Sequence, residues 1–133
     1  PIGEFQGASL AHYASHLRAK DIRLILLATR RLGLMTVKGN PLRIHTLSDL
    51  SQNNLHMVNR QPGSGTRLLF DLMLQAAGVD AKTLSGYDVH ELTHAAVAAY
   101  IASGMADVGF GVETPAQRFG LNFVPLVSER FAR

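Results

Sequence analysis

The stretch 56-HMVNRQPGSGTRLLFDLML-74 decides the fold, because its pattern changes from that of a strand to that of a helix within a few residues. HMVN predicts a short strand, and QPGSGTR has the composition of a loop. The apolar spacing of LLFDLMLQAA then predicts a helix that stops at Gly78, a residue type that favours the conformation following a helix C-terminus. The stretch is therefore a strand–turn–helix unit, as found in α/β proteins.

The turn of this unit has features of an anion site. The first amides of a helix have no acceptor within the helix, and the helix dipole adds partial positive charge there. The sequence therefore predicts that the N–H groups of Ser64, Gly65, Thr66 and Arg67 are free to bind an anion. The two hydroxyls add donors, and Arg60 or Arg67 would add charge. The alternative is a capped turn whose glycines serve only a steric purpose and which binds nothing.

Other chemistries find less support in this turn. The phosphate-binding pattern G-x-x-x-x-G-K-[ST] is absent, and Leu68 stands where G-x-G-x-x-G needs its third glycine, so nucleotide binding is not supported. The hydrolase pattern G-x-S-x-G is also absent. A triad of Ser64 and His94 with Asp71 or Asp107 can be written, but nothing in the sequence specifies its geometry.

On either side of the turn, strand and helix patterns alternate from Leu32 onward, which predicts an α/β fold with a largely parallel sheet. Thr46 and Asp49 have the spacing of a capping box at the start of a short helix. The predicted strands are 22–29, 32–37, 56–59, 87–90, 107–112 and 122–127, and the predicted helices are 8–20, 46–50, 68–77, 93–103 and 114–120.

Composition limits the class of protein. The 133 residues suffice for one compact domain, and a hydrophobic fraction of 47% allows a real core. The absence of cysteine removes disulfides and thiol chemistry. The net charge of +3 comes from scattered residues, which fits a small anionic ligand better than nucleic acid. The longest apolar run is too short to span a bilayer. The chain begins at Pro1 without a signal-peptide pattern, so we expect a preceding segment and a cytoplasmic location.

The sequence HELTH at 90–94 matches H-E-x-x-H, the pattern of zinc metalloproteases, and makes a zinc hydrolase the enzymatic alternative. That site needs both histidines on one face of a continuous helix. SGYDV before His90 is a poor helix sequence, whereas Thr93 is a good N-cap for the alanine-rich run that follows. We therefore expect His90 to end a strand and His94 to open a helix, without a metal. His12 and His16 are a second pair at helical spacing, but no third ligand is near them in sequence.

From Leu32 to its end, the chain resembles a known family in several motifs. They are NRQPGSGTRL at 59–68, GY at 86–87, THAAVAA at 93–99, SGMADVGFG at 103–111 and FVPLVSER at 123–130. These are similar to the type II periplasmic-binding-protein-like ligand-binding domain. The resemblance is strongest to that domain in molybdate- and molybdopterin-related regulators, and LysR-type effector-binding domains are more distant.

This resemblance implies two α/β lobes that hold a ligand in the cleft between them. Residues 1–39 would form part of the first lobe and the crossover, 40–121 the complete second lobe, and 122–133 the return strand and tail. The remainder of the first lobe should precede Pro1, so this chain would hold half of a site. A missing N-terminal segment or a second copy in a homodimer would complete it.

The function that the resemblance implies is a binding module, not an enzyme, without a cofactor and without direct nucleic-acid contact from this chain. The ligand would be a small anion such as molybdate, tungstate or a related metabolite, sensed in a transcriptional regulator or a molybdenum-related protein. Tyr87 either reaches this ligand through its hydroxyl or is a half-buried sheet residue. A dimerisation module that binds nothing is the other alternative. The candidate ligand-binding residues are Arg60, Ser64, Gly65, Thr66, Arg67, Tyr87, Thr93 and His94.

Overall fold

The computed structural model describes residues 31–128. The helix predicted at 8–20 and the strand predicted at 22–29 lie outside the described residues. No helix within residues 31–128 combines the length and apolar character needed to cross a membrane. The elements, in chain order, are β1 (Arg31–Thr36), β2 (Met57–Arg60), α1 (Gly65–Ala76), β3 (His90–Glu91), α2 (His94–Ala102), β4 (Val108–Val112), α3 (Glu113–Arg118) and β5 (Asn122–Ser128), with 3-10 turns at Leu47–Ser51 and Ala81–Thr83.

The strands form one sheet in the order β3-β2-β4-β1-β5, which makes the chain a mixed α/β protein. β2 pairs in parallel with β3 and with β4, so the core of the sheet is parallel as predicted. β1 instead runs antiparallel to both β4 and β5. Alternating helices and strands predict a parallel direction only for strands that a crossover helix connects. A loop with a single 3-10 turn connects β1 to β2, so the pattern does not set the direction of β1.

β1 and β5 lie side by side over their whole length, from the pair Arg31 and Ser128 to the pair Thr36 and Asn122. A bulge interrupts this ladder beside Gly33. A Cβ atom on Gly33 would lie 2.1 Å from the carbonyl oxygen of Val124, so only glycine fits between the two strands. The two segments expected to connect the lobes are therefore adjacent strands of one sheet, and the division into lobes itself stays a prediction.

Helices cover both faces of the sheet, as the alternation of side chains along a strand requires. On one face α1 packs over the larger core cluster, in which the rings of Phe70 and Phe110 stack at 5.2 Å between centroids. On the other face α2 and α3 pack over a smaller cluster that includes Val97, Ile101 and Ala116. The loops that follow β2 and β3 are thus held between a well-packed sheet and two fixed helices.

Of two local predictions, one is confirmed and the other is wrong. The capping box is confirmed, because Thr46 and Asp49 bond each other's backbone reciprocally, although the helix that they open is a 3-10 turn. The strand predicted at 87–90 is wrong, because residues 85–88 form a turn and β3 has only two residues. Gly86 explains the difference: its φ is +88°, and a Cβ atom there would lie 2.0 Å from the carbonyl oxygen of Met57. The chain turns tightly against β2 before it joins the sheet.

Candidate functional site

The N-termini of α1 and α2 lie at one edge of the sheet. β2 and β3 are parallel neighbours, with Arg60 beside Glu91, so their carboxyl ends coincide. Each strand leads through a short turn into a helix. Ser64 caps α1 and Thr93 caps α2, each accepting a backbone N–H through its side-chain oxygen. The fold therefore places two positive helix ends side by side.

The division of HELTH between two elements is confirmed. His90 and Glu91 form β3, Thr93 is the N-cap, and His94 is the first residue of α2. The exposed ring of His90 lies 3.4 Å from the carbonyl oxygen of Asp88, whereas the His94 ring contacts Arg60. Residues 31–128 contain no cluster of three side chains suited to hold a metal ion. The continuous helix required by the zinc hydrolase alternative is contradicted.

The prediction of four free amides at the start of α1 is wrong for two of them. The N–H of Ser64 donates to the carbonyl of Gln61 at 3.2 Å, and the N–H of Arg67 donates to Ser64 Oγ at 2.9 Å. The turn closes on itself and the cap uses a second amide, as N-caps do. The amides of Gly65 and Thr66 have no acceptor among the described residues.

α2 presents its first turn in the same way. Thr93 accepts the amide of Ala96 through Oγ1 at 3.0 Å and the amide of Val97 through its carbonyl at 3.1 Å. The amides of His94 and Ala95 have no acceptor within the described part of the chain. Each capping hydroxyl accepts one bond and keeps its own proton to donate. Together the two helix starts offer four amides and two hydroxyls.

Arg60 ends β2 and reaches across to α2. Its NH1 lies 2.8 Å from Nε2 of His94, its Nε donates to Gln61 Oε1 at 3.1 Å, and its NH2 donates to the carbonyl of Leu92 at 3.4 Å. No carboxylate within residues 31–128 forms an ion pair with it. Burial lowers the pKa of Arg60 from its ordinary value, yet a guanidinium stays protonated in proteins. The site thus contains a half-buried positive charge.

His94 is neutral in this arrangement. A guanidinium only donates hydrogen bonds, so Nε2 must accept from Arg60 and the ring proton must be on Nδ1. Burial, and secondly the charge of Arg60, lower the pKa of His94 to about 4. Nδ1 is buried and has no hydrogen-bond partner among residues 31–128. A Cβ atom on Gly111 would lie 3.5 Å from Nδ1, which shows how closely the ring approaches β4.

Arg67, the second predicted cation of the site, is 8% exposed and makes internal contacts. Its NH1 donates to the carbonyl of Arg60 at 2.9 Å, and its guanidinium lies 4.5 Å above the ring centroid of Tyr87. Its Nε is 3.8 Å from Asp71 Oδ2, a charge contact too long for a hydrogen bond. Arg67 joins β2, α1 and the turn before β3.

Tyr87 belongs to the same internal cluster. Its hydroxyl donates to Asp71 Oδ1 at 2.5 Å, and its carbonyl accepts from the side-chain amide of Asn59 at 3.1 Å. Burial and the bond to Asp71 raise the pKa of Tyr87. It is half-buried, but in a turn instead of the predicted strand. Thr66 is also buried, with an exposed fraction of 5%.

Sequence reasoning missed two residues that shape this region. Asn59 is 2% exposed and accepts the amide of Arg60 through Oδ1 at 3.0 Å, while Gln61 orients the Arg60 side chain through its amide oxygen. The available signal was a run of three polar residues at the end of an apolar strand. The catalytic triad is contradicted, since His94 contacts Arg60 and Asp71 binds Tyr87.

Comparison with known proteins agrees with this architecture. A family model described as a PBP superfamily domain matches residues 1–132. An uncharacterized protein of Bacillus subtilis (strain 168), YvgK, is 36% identical over 115 residues, which cover 86% of this chain and 37% of that protein. The chain therefore corresponds to little more than a third of that relative. It belongs to the PBP superfamily, whose domains bind ligands.

Proposed function

We propose that this chain binds a small anion at the adjacent N-termini of α1 and α2, with Arg60 as the counter-charge. One observation supports this most directly: the half-buried guanidinium of Arg60 has no carboxylate partner within residues 31–128. It lies between two helix starts whose first amides have no acceptor among the residues that the structure describes. A cation in partly desolvated surroundings is stabilised by an anion that neutralises it.

The donors suit an oxyanion in number and kind. The amides of Gly65, Thr66, His94 and Ala95 and the hydroxyls of the two caps can all donate. A tetrahedral oxyanion such as molybdate or tungstate has four oxygens and needs donors from several directions. A metabolite with a carboxylate or phosphate group would use the same donors. In this proposal the site binds its ligand without transforming it.

Arg67 and Tyr87 have a supporting role in the proposed site. Their contacts to Asp71 and to the carbonyl of Arg60 fix the turn between β2 and α1. Ligand would then bring a second lobe toward this edge of the sheet, and the paired strands β1 and β5 would act as the hinge. Such closure would serve a transcriptional regulator or another molybdenum-related protein in the cytoplasm.

Titration of ¹⁵N-labelled chain with molybdate, tungstate and sulfate, observed by NMR, tests the proposal. NMR detects binding with dissociation constants in the millimolar range. This sensitivity is needed because a chain that holds half of the site would bind weakly. We expect the amide signals of Gly65, Thr66, His94 and Ala95 to shift most. Arg60→Gln should weaken binding by about tenfold or more, since it removes a charged hydrogen bond.

The control is Arg43→Gln, which removes the same charge from an exposed residue in the loop between β1 and β2. β1 runs against its neighbour β4, so this loop leaves the sheet at the edge opposite Arg60. The control should bind like the unaltered chain. If no anion shifted these amides at millimolar concentration, or if Arg60→Gln bound equally well, the proposal would be wrong. A dimer by light scattering without any ligand response would favour a dimerisation module.

A further inference from the structure

We propose that His94 takes up a proton when an anion binds beside Arg60, so that the site binds its anion more tightly as the pH falls. This rests on the proposed function, because it concerns the same anion at the same helix ends. It adds a regulatory property that no motif of the sequence indicates. The geometry of the Arg60–His94 pair carries it.

The hydrogen bond between Arg60 and His94 keeps the ring unprotonated. NH1 and Nε2 are 2.8 Å apart, and the guanidinium has no lone pair to offer. The only proton of the ring is therefore on Nδ1, which is buried against β4 and has no acceptor in the described part of the chain. A proton cannot enter at Nε2 until Arg60 turns to another acceptor.

The surroundings of His94 contain one charge that acts on it, namely Arg60 from β2. α2 itself has no acidic or basic side chain after His94. On the neighbouring strand β4 the ring meets Gly111, which has no side chain. Glu113 at the start of α3 is paired with Arg31 at 3.2 Å, and Glu91 on β3 precedes the turn that leads to His94.

An anion would reverse the conditions that oppose protonation. Besides burial, these are the charge of Arg60 and the positive end of α2, on whose first residue His94 lies. A bound dianion neutralises both charges and gives Arg60 a stronger acceptor than a neutral imidazole nitrogen. Nε2 is then free to take a proton from solvent and to donate it toward an anion oxygen. The pKa of His94 therefore rises on binding, and binding consumes a proton.

Calorimetric titration of the full chain with molybdate, in buffers of different ionisation enthalpy, measures this proton directly. At about pH 6 dilute molybdate stays a dianion, so any proton taken up enters the protein. We expect uptake of about half to one proton per anion near pH 6 and less at higher pH. Affinity should increase with falling pH, by up to about tenfold per unit.

His94→Gln removes the titration but keeps an oxygen that can accept from Arg60. This variant should bind molybdate with no buffer dependence and a flat pH profile. His45→Gln, an exposed histidine in the loop after β1, should retain the full uptake. Proton-free binding by the unaltered chain, or unchanged uptake in His94→Gln, would overturn the inference while leaving anion binding intact. Absence of binding at every pH would instead remove the proposed function and this inference with it.

Discussion

The turn that opens α1 and the turn that opens α2 share three features: a preceding strand end, a hydroxyl N-cap and first amides without an acceptor among the described residues. They differ in the groups that surround their charged side chains. At α1, the guanidinium of Arg67 is enclosed by the ring of Tyr87, the carboxylate of Asp71 and a backbone carbonyl. At α2, His94 faces the cation of Arg60, which has no carboxylate partner in residues 31–128. The first turn places a carboxylate beside its cation, whereas the second has none among the described residues, and in our proposal an anion takes that place.

Two arginines seven residues apart therefore have opposite roles. Arg67 is 8% exposed and has a carboxylate beside it, whereas Arg60 is half-buried and has no carboxylate partner within residues 31–128. A residue whose surroundings leave it unsatisfied is the better candidate for binding, because a ligand supplies what the fold does not. The largest effects on stability should come from altering the α1 turn, and the largest effects on ligand affinity from altering Arg60.

The strongest test of this comparison is Arg67→Met. The substitution keeps an apolar stem but removes the donor to the Arg60 carbonyl, and it leaves the Asp71 carboxylate without its cation. The substitution takes the donor from the Arg60 carbonyl and the cation from the Tyr87 ring, so it should lower the free energy of unfolding by about 2 kcal/mol. Urea denaturation followed by circular dichroism measures the change.

Arg60→Met is the matched variant and should behave differently. It removes no ion pair within the described residues and relieves the burial of an uncompensated cation. It also loses hydrogen bonds to His94, Gln61 and Leu92, so its unfolding free energy should fall by no more than about 1 kcal/mol. Equal destabilisation by the two substitutions would show that the arginines share one structural role, and the comparison would fail.

The position of the α2 turn depends on two glycines of β4 beneath the helix. A Cβ atom on Gly109 would lie 2.9 Å from the backbone oxygen of Val58 and 2.9 Å from Cγ1 of Val97. Gly109→Ala must therefore push α2 away from the sheet, and we expect a loss of about 2 kcal/mol in unfolding free energy. Thermal unfolding of the variant would show the loss as a lowered midpoint.

Gly111→Ala, on the same strand and face, sharpens this test. Its Cβ would meet the flexible terminal methyl of Met35 at 2.9 Å and His94 Nδ1 at 3.5 Å, and both can adjust. The loss should be below about 1 kcal/mol, and affinity for the anion should change more than stability does. If Gly111→Ala cost as much as Gly109→Ala, the contact of Val97 with Gly109 would not be what sets the close approach of α2.

Sequence patterns suffice to predict some features of these two turns but not others. Periodicity and turn residues predicted the strand–turn–helix unit, the cap at Thr93 and the division of HELTH, since all three depend on neighbours in the chain. They missed the contact of Arg67 with Tyr87, which are 20 positions apart and meet only after the parallel pairing of β2 and β3. The charge state of His94 was equally hidden, because burial and Arg60, a residue of another strand, determine it.

The last prediction concerns the pH dependence of stability. The pKa of His94 is about 4 in the folded chain and 6.5 in the unfolded chain. Between pH 4 and pH 6.5 the unfolded state therefore binds more protons than the folded state. Stability is therefore complete above about pH 6.5 and declines as the pH falls toward 4, by about 1 kcal/mol after allowance for the partial solvent exposure of the ring. Urea denaturation at several pH values without anion measures the decline, and in His94→Gln this part of it should disappear. Molybdate would oppose this decline in stability, because the proposed site binds it more tightly at low pH. If the His94→Gln variant lost stability at low pH as the unaltered chain does, the titrating group would be another residue. The difference argued between the α2 turn and the α1 turn would then be contradicted.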